Sequence, residues 1–478
     1  MSFNSFIFIL AFLPVTLFIY WMLRKYHHYV ISVWFVSLAS FAYYAFCYPK
    51  GAIVLALSMG INYIISLNIL RKRHTKLLLA MGIVFDVLLL SFFKYGGFIF
   101  SFVGTTLTAP GISFYTFTEI ALLVECYRGT VLELAPEEYC LLITFFPKMM
   151  EGPVVTPKDM FPQNVGRTSI DAEKIYRAVM LFTFGMFKKV IIADTLGAAV
   201  DYGFADLNSM HSGEALVIML SYTLQLYFDF SGYCDMGLSI ASLFGFDLPI
   251  NFNSPYKARN IVDFWKRWHI TLTNFFTRYI YIPLGGSRKG YARKYLNILI
   301  IFFISGLWHG AGFQFIIWGL MHGVLFMLLR FVEDRTGKEY LFEGKLWRVL
   351  STAFTFLYVN VAWVFFRAPS VSDALHLFGD FFEFWFPRFN TGLAKCFNLD
   401  ELWYVLKVLH LDSMSFSLYI LMALILIALV ILIFAAPNAI EYSTKCKINL
   451  ANTLMITVLF IWALLSFEGV ATYLYVNF

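Results

Sequence analysis

Long apolar stretches separated by short polar connections make up the first hundred residues of the chain. Each stretch is about 20 residues long, which is the length an α-helix needs to cross the hydrocarbon core of a bilayer. The pattern predicts membrane-spanning helices near residues 4–22, 30–47, 51–70 and 77–101. Lys94 lies near the end of the fourth stretch, and we expect its side chain to snorkel to the membrane interface.

The connections between these stretches carry positive charge on one side only. Residues 24–28 and 71–76, which follow the first and third stretches, contain clusters of Arg, Lys and His. Cytoplasmic loops carry an excess of Lys and Arg. We therefore expect a multi-pass protein of the inner (cytoplasmic) membrane, with its N-terminus on the extracytoplasmic side.

The pattern changes after Pro110. A semi-polar helix is predicted from Gly111 to about residues 127–129, and prolines and charges at 145–148 and 151–153 interrupt the next apolar segment. Such residues occur at membrane depth only where they are buried in protein or line a cavity. This segment is therefore predicted to be re-entrant or broken.

The rest of the chain continues as apolar spans around a more polar centre. Spans are predicted near residues 174–198, 214–245, 295–312, 314–331, 348–366, 415–435 and 451–473, with a mixed, interfacial or extramembrane region at 369–412. The predicted fold is one all-α, polytopic transmembrane bundle of about eleven to thirteen helical segments. We divide it into N-terminal spans (1–105), a core (106–370) and a C-terminal segment (371–478).

Two carboxylates, Asp229 and Asp235, fall inside the predicted span 214–245. A carboxylate within the membrane has a high cost in free energy, so it is expected to have a partner or a function. We favour ion-pair or hydrogen-bond anchors over catalytic groups here, with nearby basic residues as partners.

The stretch 251–323 holds charge, aromatic rings and three of the nine histidines between apolar segments. At about 100° per residue, residues 263–278 form an amphipathic helix with two distinct faces. The apolar face would carry Trp265, Trp268, His269, Leu272 and Phe276, and the opposite face Asp263, Arg267, Asn274 and Arg278. We expect one continuous buried helix that presents the His269 imidazole to an apolar interior.

The composition is that of a membrane protein, and it limits the ligands that the protein could bind. The 478 residues are 60% hydrophobic and only 14% charged, against about 25% charged in soluble domains. The net charge of +6 is concentrated, with nine Lys or Arg against one acid in residues 253–294. That cluster fits a cytosolic loop, anionic lipid or a phosphate-bearing ligand, and no basic soluble module indicates nucleic acid. Six scattered cysteines without C-x-x-C spacing indicate neither a disulfide framework nor a zinc knot.

His309 lies in an apolar run between Trp308 and Gly310. A buried neutral imidazole is suited to accept a proton near neutral pH, although a hydrogen-bonded core histidine is an equally good interpretation. His322 is 13 residues further on, which in one continuous helix places it about 20 Å away, and so we expect a supporting role. For His269, a role as a second catalytic group and a role in packing are equally good interpretations.

Several enzyme classes have no motif in this chain. There is no H-E-x-x-H, G-x-S-x-G, Walker A or G-x-G-x-x-G sequence. These absences argue against a zinc protease, a serine hydrolase, an ATP-driven pump and a dinucleotide enzyme.

The polar motifs as a set resemble the membrane-bound O-acyltransferase superfamily, and within it the bacterial alginate O-acetyltransferase branch. The teichoic acid D-alanyl transfer protein is a more distant likeness. The motifs that carry the resemblance are Phe228–Asp235, Trp265–His269, Tyr281–Gly286, Trp308–Gly310 and Leu320–Gly323, with Pro110–Phe117, Tyr127–Gly129, Phe145–Pro147 and Trp363–Ala368 outside the centre. Charged Lys148 and Glu151 depart from the alginate-branch pattern.

The resemblance implies helices around a funnel, with the family's near-invariant histidine at His309 and its second polar position at His269. It implies transfer of an acyl group, usually from cytosolic acetyl-CoA, to a hydroxyl of an extracytoplasmic polysaccharide or of a partner protein. The chain has no G-D-S block, so we expect a separate extracytoplasmic partner of the SGNH type. No bound cofactor or metal is expected.

The expected site thus has His309 as base and His269 as its assistant. Further donor- or substrate-binding candidates are Trp265, Arg267, Trp268, Lys257, Arg259, Trp308, His322, Asp229 and Lys148. The phosphates of coenzyme A could also contact Lys266, Arg288, Lys289, Arg293 and Lys294.

Two other classes of protein remain open on the sequence. A glycan or lipid transporter could use intramembrane His and Asp residues for proton coupling. A non-catalytic scaffold for polysaccharide export is the third.

Overall fold

The computed structural model is helical throughout its described part. The described residues are 2–99, 109–161, 163, 168–207, 210–340, 342–383, 390–397, 399, 404, 407, 408, 410 and 415–467. Within these ranges the chain forms helices joined by turns, and no strand occurs. The predicted all-α class is confirmed.

The first four predicted spans are helices. A π-helical turn, Phe8–Phe12, leads into α1 (Leu13–Lys25), which is followed by α2 (Tyr29–Cys47), α3 (Pro49–Leu70) and α4 (Thr75–Ile99). The end of the predicted span 77–101 lies outside the described residues. Polar connections separate the helices where the charge clusters were noted.

The broken region after Pro110 is confirmed. It contains α5 (Ile112–Arg128), α6 (Pro136–Thr144), α7 (Phe146–Met149) and α8 (Pro157–Met160). Helix α5 is bounded by Gly111 and Gly129 at φ +79° and +73°, a left-handed conformation in which glycine avoids the Cβ clash. Phe145 leaves the helical conformation between α6 and α7, and Pro147 lies in the first turn of α7, where its missing N–H removes no helical hydrogen bond.

A long central helix organises the middle of the chain. Helix α9 (Ala172–Phe187) continues through a π-helical segment (Lys188–Ala193) into α10 (Asp194–Ala205), and α11 (Ser212–Leu243) packs against all three. Every residue of α11 from 221 to 241 is buried. It therefore runs through the protein interior instead of facing lipid.

Short helices and a helical hairpin follow. They are a 3₁₀ turn (Pro255–Lys257), α12 (Ile261–Trp265), α13 (Ile270–Phe276), a π-helical turn (Thr277–Tyr281), α14 (Tyr291–His309) and α15 (Phe313–Thr336). The chain continues as α16 (Lys345–Arg367), α17 (Val371–Phe382), α18 (Thr391–Lys395), α19 (Ser415–Ala435), α20 (Ala439–Lys445) and α21 (Leu450–Leu465). Much of the mixed region 369–412, and the end of the predicted span 451–473, lie outside the described residues.

Seven helices within the described ranges are long and apolar enough to cross a membrane: α1 with its π-helical turn, α2, α3, α4, α15, α16 and α19. The protein is therefore a multi-pass membrane protein. The predicted spans 174–198, 214–245 and 295–312 are helical but are not among the seven. Helix α11 shows why, because it carries polar residues that are buried against neighbouring helices.

Candidate active site

The polypeptide leaves the helical conformation directly before His269. Helix α12 ends at Trp265, and His269 has φ +44° and ψ +51° before α13 begins. The backbone here pairs with an earlier segment: Asn253 N–H donates to the Arg267 carbonyl (3.0 Å) and Ile270 N–H to the Asn251 carbonyl (3.0 Å). The prediction of one continuous helix is therefore wrong. A non-glycine residue at positive φ is uncommon and is held here by that pairing.

The predicted buried face is confirmed despite the break. Trp265, Trp268 and His269 are 6%, 1% and 1% exposed, whereas Arg267 remains partly exposed. Burial lowers the pKa of His269 to about 3, so this imidazole is neutral at physiological pH.

Asn251 orients the His269 ring. Its Oδ1 lies 3.3 Å from His269 Nδ1 and accepts a hydrogen bond from the Thr271 hydroxyl (2.6 Å). Because a carbonyl oxygen can only accept, the first contact requires a proton on Nδ1 and leaves the lone pair on Nε2. Sequence reasoning did not single out Asn251, since its contact with His269 depends on the break in the helix.

His309 is the last residue of α14 and is 3% exposed. Gly310 and Gly312 follow, and α15 returns alongside α14. The two helices approach closely, because a Cβ on Gly306 would collide with the Phe315 carbonyl. Glycine at this crossing is required by the packing.

All three histidines of the central stretch lie along one series of aromatic rings. Successive ring centroids are 6.3 Å apart for His269–Trp308, 4.4 Å for Trp308–His309, 4.9 Å for His309–Trp318 and 5.2 Å for Trp318–His322. We call these five residues the histidine–tryptophan row. The expected separation of 20 Å between His309 and His322 is wrong, because the turn after His309 folds α15 back and both imidazoles contact Trp318.

His322 is fully buried in this row. Its ring also contacts Trp265 at 5.3 Å, Phe264 at 6.2 Å and Trp363 at 6.1 Å between centroids. Neither ring nitrogen has a hydrogen-bond partner within the described residues. A buried polar group without a partner is destabilising, so its presence calls for an explanation other than stability.

The two acids of α11 form ion pairs. Asp229 lies 2.7 Å from Lys189 Nζ and Asp235 lies 2.6 Å from Lys188 Nζ. The prediction that they are anchors bound to nearby basic residues is confirmed. Asp229 is therefore satisfied by Lys189, and a role for it in substrate binding has no support in this geometry.

The predicted donor-binding cations do not gather at the histidines. Lys257 Nζ donates to the Ala436 carbonyl (2.6 Å), Arg259 stacks 3.8 Å above the Tyr340 ring, and Arg267 pairs with Asp263 at 2.7 Å. Lys148 is buried on α7, where it interacts electrostatically with Glu119. These four candidates make contacts that explain their positions structurally.

A cavity of about 380 Å³ lies between α13, α14 and α15. Lys294 and Arg330 are part of its lining, and so are Trp265 and Phe302, which contact the His322 ring. Small-molecule sites commonly have volumes of about 300–1,000 Å³. The cavity therefore extends from Lys294 and Arg330, which pair with Asp334 and Glu333, to the aromatic surroundings of the histidine–tryptophan row.

Lys94 was assigned to the interface, and that prediction is wrong. Its Nζ donates a hydrogen bond to the Trp308 carbonyl and lies 4.8 Å from the centroid of the Trp308 ring. The only sequence signal was a lysine inside an apolar helix, which has the same pattern as a snorkelling residue.

These features define a multi-pass membrane protein with a buried histidine site. A model of the membrane-bound O-acyltransferase family matches residues 135–368. A "Peptidoglycan O-acetyltransferase" of Helicobacter pylori is 39% identical over 415 residues, 78% of each chain. A "Probable alginate O-acetylase AlgI" of Pseudomonas putida is 36% identical over 407 residues, covering 80% of this chain and 81% of that one.

A "Teichoic acid D-alanyltransferase" of Bacillus subtilis is 28% identical over 260 residues, covering 52% of this chain and 66% of that one. The chain belongs to the membrane-bound O-acyltransferase family, and it is an O-acyltransferase. The resemblance found in the sequence motifs is thereby confirmed. The transporter and scaffold interpretations are not supported.

Proposed function

We propose that this enzyme moves an acetyl group from cytosolic acetyl-CoA to a hydroxyl of an extracytoplasmic cell-envelope polysaccharide, directly or through a partner protein that acetylates it. The names of the relatives support a cell-envelope acceptor, since they cite peptidoglycan, alginate and teichoic acid. The enzyme lies in the cytoplasmic membrane with its N-terminus outside, as the charged connections after α1 and α3 favour.

The observation that carries the proposal is the position of His309 at the end of α14, buried and in contact with Trp308 and Trp318. A thioester is already activated, so the enzyme needs alignment, a base and stabilisation of the developing oxyanion. The acceptor hydroxyl oxygen attacks the thioester carbonyl carbon while His309 takes the hydroxyl proton. When the carbon–sulfur bond breaks, the sulfur leaves as a thiolate, and the proton held by His309 neutralises it to the free thiol.

His269 is the assisting group in this proposal. It is neutral, it is oriented by Asn251, and its ring contacts Trp308, the sequence neighbour of His309. In this tautomer Nε2 carries the lone pair, so the imidazole can accept a hydrogen bond and orient the donor without adding charge to a buried site. Trp308 contacts both imidazoles.

The cavity between α13, α14 and α15 suits the pantetheine arm of coenzyme A. The arm would pass Lys294 and Arg330 and end beside Trp265 and Phe302, one ring from His322. Arg288, Lys289 and Arg293, which are exposed next to this cavity in the loop before α14 and in its first turn, are placed to contact the phosphates. This assignment replaces Lys257, Arg259 and Arg267 by the exposed cations Arg288, Lys289 and Arg293.

The partner in this proposal is an extracytoplasmic protein of the SGNH type. The chain contains no G-D-S block of its own, which is the feature that supports a separate polymer-side enzyme. The acyl group would then reach a hydroxyl of that partner or of the polysaccharide.

The test is thioester turnover by the purified protein in detergent. Acetyl-CoA is supplied with and without a candidate partner, and release of free thiol is followed for wild type, His309→Ala and His376→Ala. His376 is a control because it lies on α17 with 44% of its side chain exposed and pairs with Asp380. We expect thiol release by wild type and His376→Ala, and none by His309→Ala.

The other results separate the parts of the proposal. Equal turnover by wild type and His309→Ala would remove His309 from the chemistry. If wild type releases no thiol even with the partner, direct binding of coenzyme A decides whether the acceptor is missing or the donor is wrong.

A further inference from the structure

Helix α14 ends without the usual backbone cap. The last four carbonyls of an α-helix have no partner inside the helix, and a left-handed glycine often allows following N–H groups to reach them. Here Gly310 is extended, at φ −177° and ψ +168°. The carbonyls of Leu307 and Trp308 would need the N–H groups of residues 311 and 312, which lie beyond the end of the helix.

Two neighbouring side chains of α4 reach these carbonyls. Lys94 Nζ donates to the Trp308 carbonyl, and the Tyr95 hydroxyl donates to the Leu307 carbonyl. The Lys94 ammonium also lies 4.8 Å from the centroid of the Trp308 ring. The contacts join parts of the chain that are 214 and 212 residues apart in sequence.

We propose that Lys94 and Tyr95 form an interhelical C-cap that positions His309 for proton transfer. This inference rests on the proposed function of His309 as the base. A cation at a helix C-terminus is stabilised by the helix dipole, and a hydrogen bond to a charged donor is stronger than one between neutral groups. Holding the two carbonyls directly before His309 fixes the last turn of α14, and with it the direction of the imidazole. Lys94 and Tyr95 are positioning residues, since they act through the backbone of α14.

The position of Lys94 near the proposed base is consistent with a positioning role. Lys94, His269 and His322 all act electrostatically on His309, so the ammonium is close to the proposed base. Were Lys94 itself the proton acceptor, its Nζ would have to lose a proton first. Its role as a hydrogen-bond donor to the Trp308 carbonyl requires no such step.

The experiment compares Lys94→Met, Lys94→Arg and Tyr95→Phe with wild type. Lys76→Met is the matched control, because Lys76 is an exposed lysine on the same helix. Two properties are measured in detergent: amide hydrogen exchange of the peptide covering residues 303–312, and kcat and KM for acetyl-CoA in the thiol-release assay.

We expect Lys94→Met to increase exchange in this peptide and lower kcat, each by about tenfold, which is the size expected for a lost charged hydrogen bond. KM should change less than twofold, because the donor cavity is not touched. Lys94→Arg should restore most of kcat, since the guanidinium is still a cationic donor. Tyr95→Phe should have a smaller effect in the same direction, and Lys76→Met none.

Wild-type exchange and wild-type kcat in Lys94→Met would overturn the proposal. A loss of kcat that Arg fails to restore, with unchanged exchange, would also overturn it. If Lys94→Met does not fold, Tyr95→Phe decides by the same two measurements, because it removes one hydroxyl. If wild type shows no turnover, direct binding of coenzyme A tests the proposed function, while the exchange measurement still tests the cap.

Discussion

Two buried polar regions of the protein differ in how their polar groups are accommodated. In the first, which we call the paired-lysine region, Lys188 binds Asp235 and Lys189 binds Asp229. In the second, the histidine–tryptophan row, imidazoles are enclosed by aromatic rings. Burying charged side chains costs more solvation free energy than burying neutral imidazoles, and the first region offsets that cost with ion pairs.

The difference distinguishes polar groups that stabilise the fold from polar groups that can take part in a reaction. A buried charge is strongly destabilising when its partner is removed, so the lysines and acids of the first region hold α9, its π-helical extension and α11 together. A neutral imidazole carries no net charge, so its burial does not require an opposite charge nearby. Such a group can accept a proton during a reaction and become neutral again when the proton leaves.

The largest effect is expected at His309. His309→Gln keeps much of the side-chain volume but cannot take the proton, so kcat should fall by about 10⁴-fold, the upper end for a general base. The thermal unfolding temperature in detergent should remain close to that of wild type. A large loss of thermal stability would mean that the row is structural, and the comparison would fail.

The opposite result is expected in the paired-lysine region. Asp235→Leu leaves the Lys188 ammonium buried without its carboxylate, and stability should fall by about 3–4 kcal/mol. The double variant Lys188→Met/Asp235→Leu should recover most of that loss, because it removes both charges. Denaturant unfolding of the single and double variants measures the recovery, and a double variant no better than the single one would contradict the ion-pair interpretation.

Much of this contrast was accessible from the sequence. The 3.6-residue pattern predicted that Trp265, Trp268 and His269 are buried. The free-energy cost of a carboxylate within the membrane predicted the ion pairs of Asp229 and Asp235. Both inferences need only local periodicity or a general energetic rule. They hold even where the local backbone was predicted wrongly.

The remainder depended on contacts between distant segments. The break at His269 follows from hydrogen bonds to residues 251–253, which a helical wheel does not include. Lys94 was assigned to the interface because its partner, the Trp308 carbonyl, is 214 residues away. The placement of His322 beside Trp318 likewise required the turn at Gly310–Gly312, and periodicity within one helix does not determine such a turn.

A smaller effect is expected at His322. His322→Phe fits a site surrounded by aromatic rings and removes two buried ring nitrogens that have no partner within the described residues. Stability should rise by about 1 kcal/mol, while turnover of acetyl-CoA should fall by less than tenfold. Denaturant unfolding and thiol release are measured on the same preparation. Loss of stability would show that the imidazole anchors the row.

The smallest effect is expected at the surface, at Lys266. Its Nζ binds Glu339 at 2.9 Å, with 55% and 43% of the two side chains exposed, and exposed pairs contribute roughly 0–1 kcal/mol. Lys266→Ala should therefore change the KM for acetyl-CoA less than twofold. Arg288→Ala, which removes an exposed guanidinium beside the donor cavity, should raise that KM by about fivefold through a lost phosphate contact. The two constants are compared at low and high salt, since screening should weaken only the Arg288 effect. A larger KM change for Lys266→Ala than for Arg288→Ala would indicate that the phosphates bind near α12. It would contradict the assignment of the cavity between α13, α14 and α15 as the donor route.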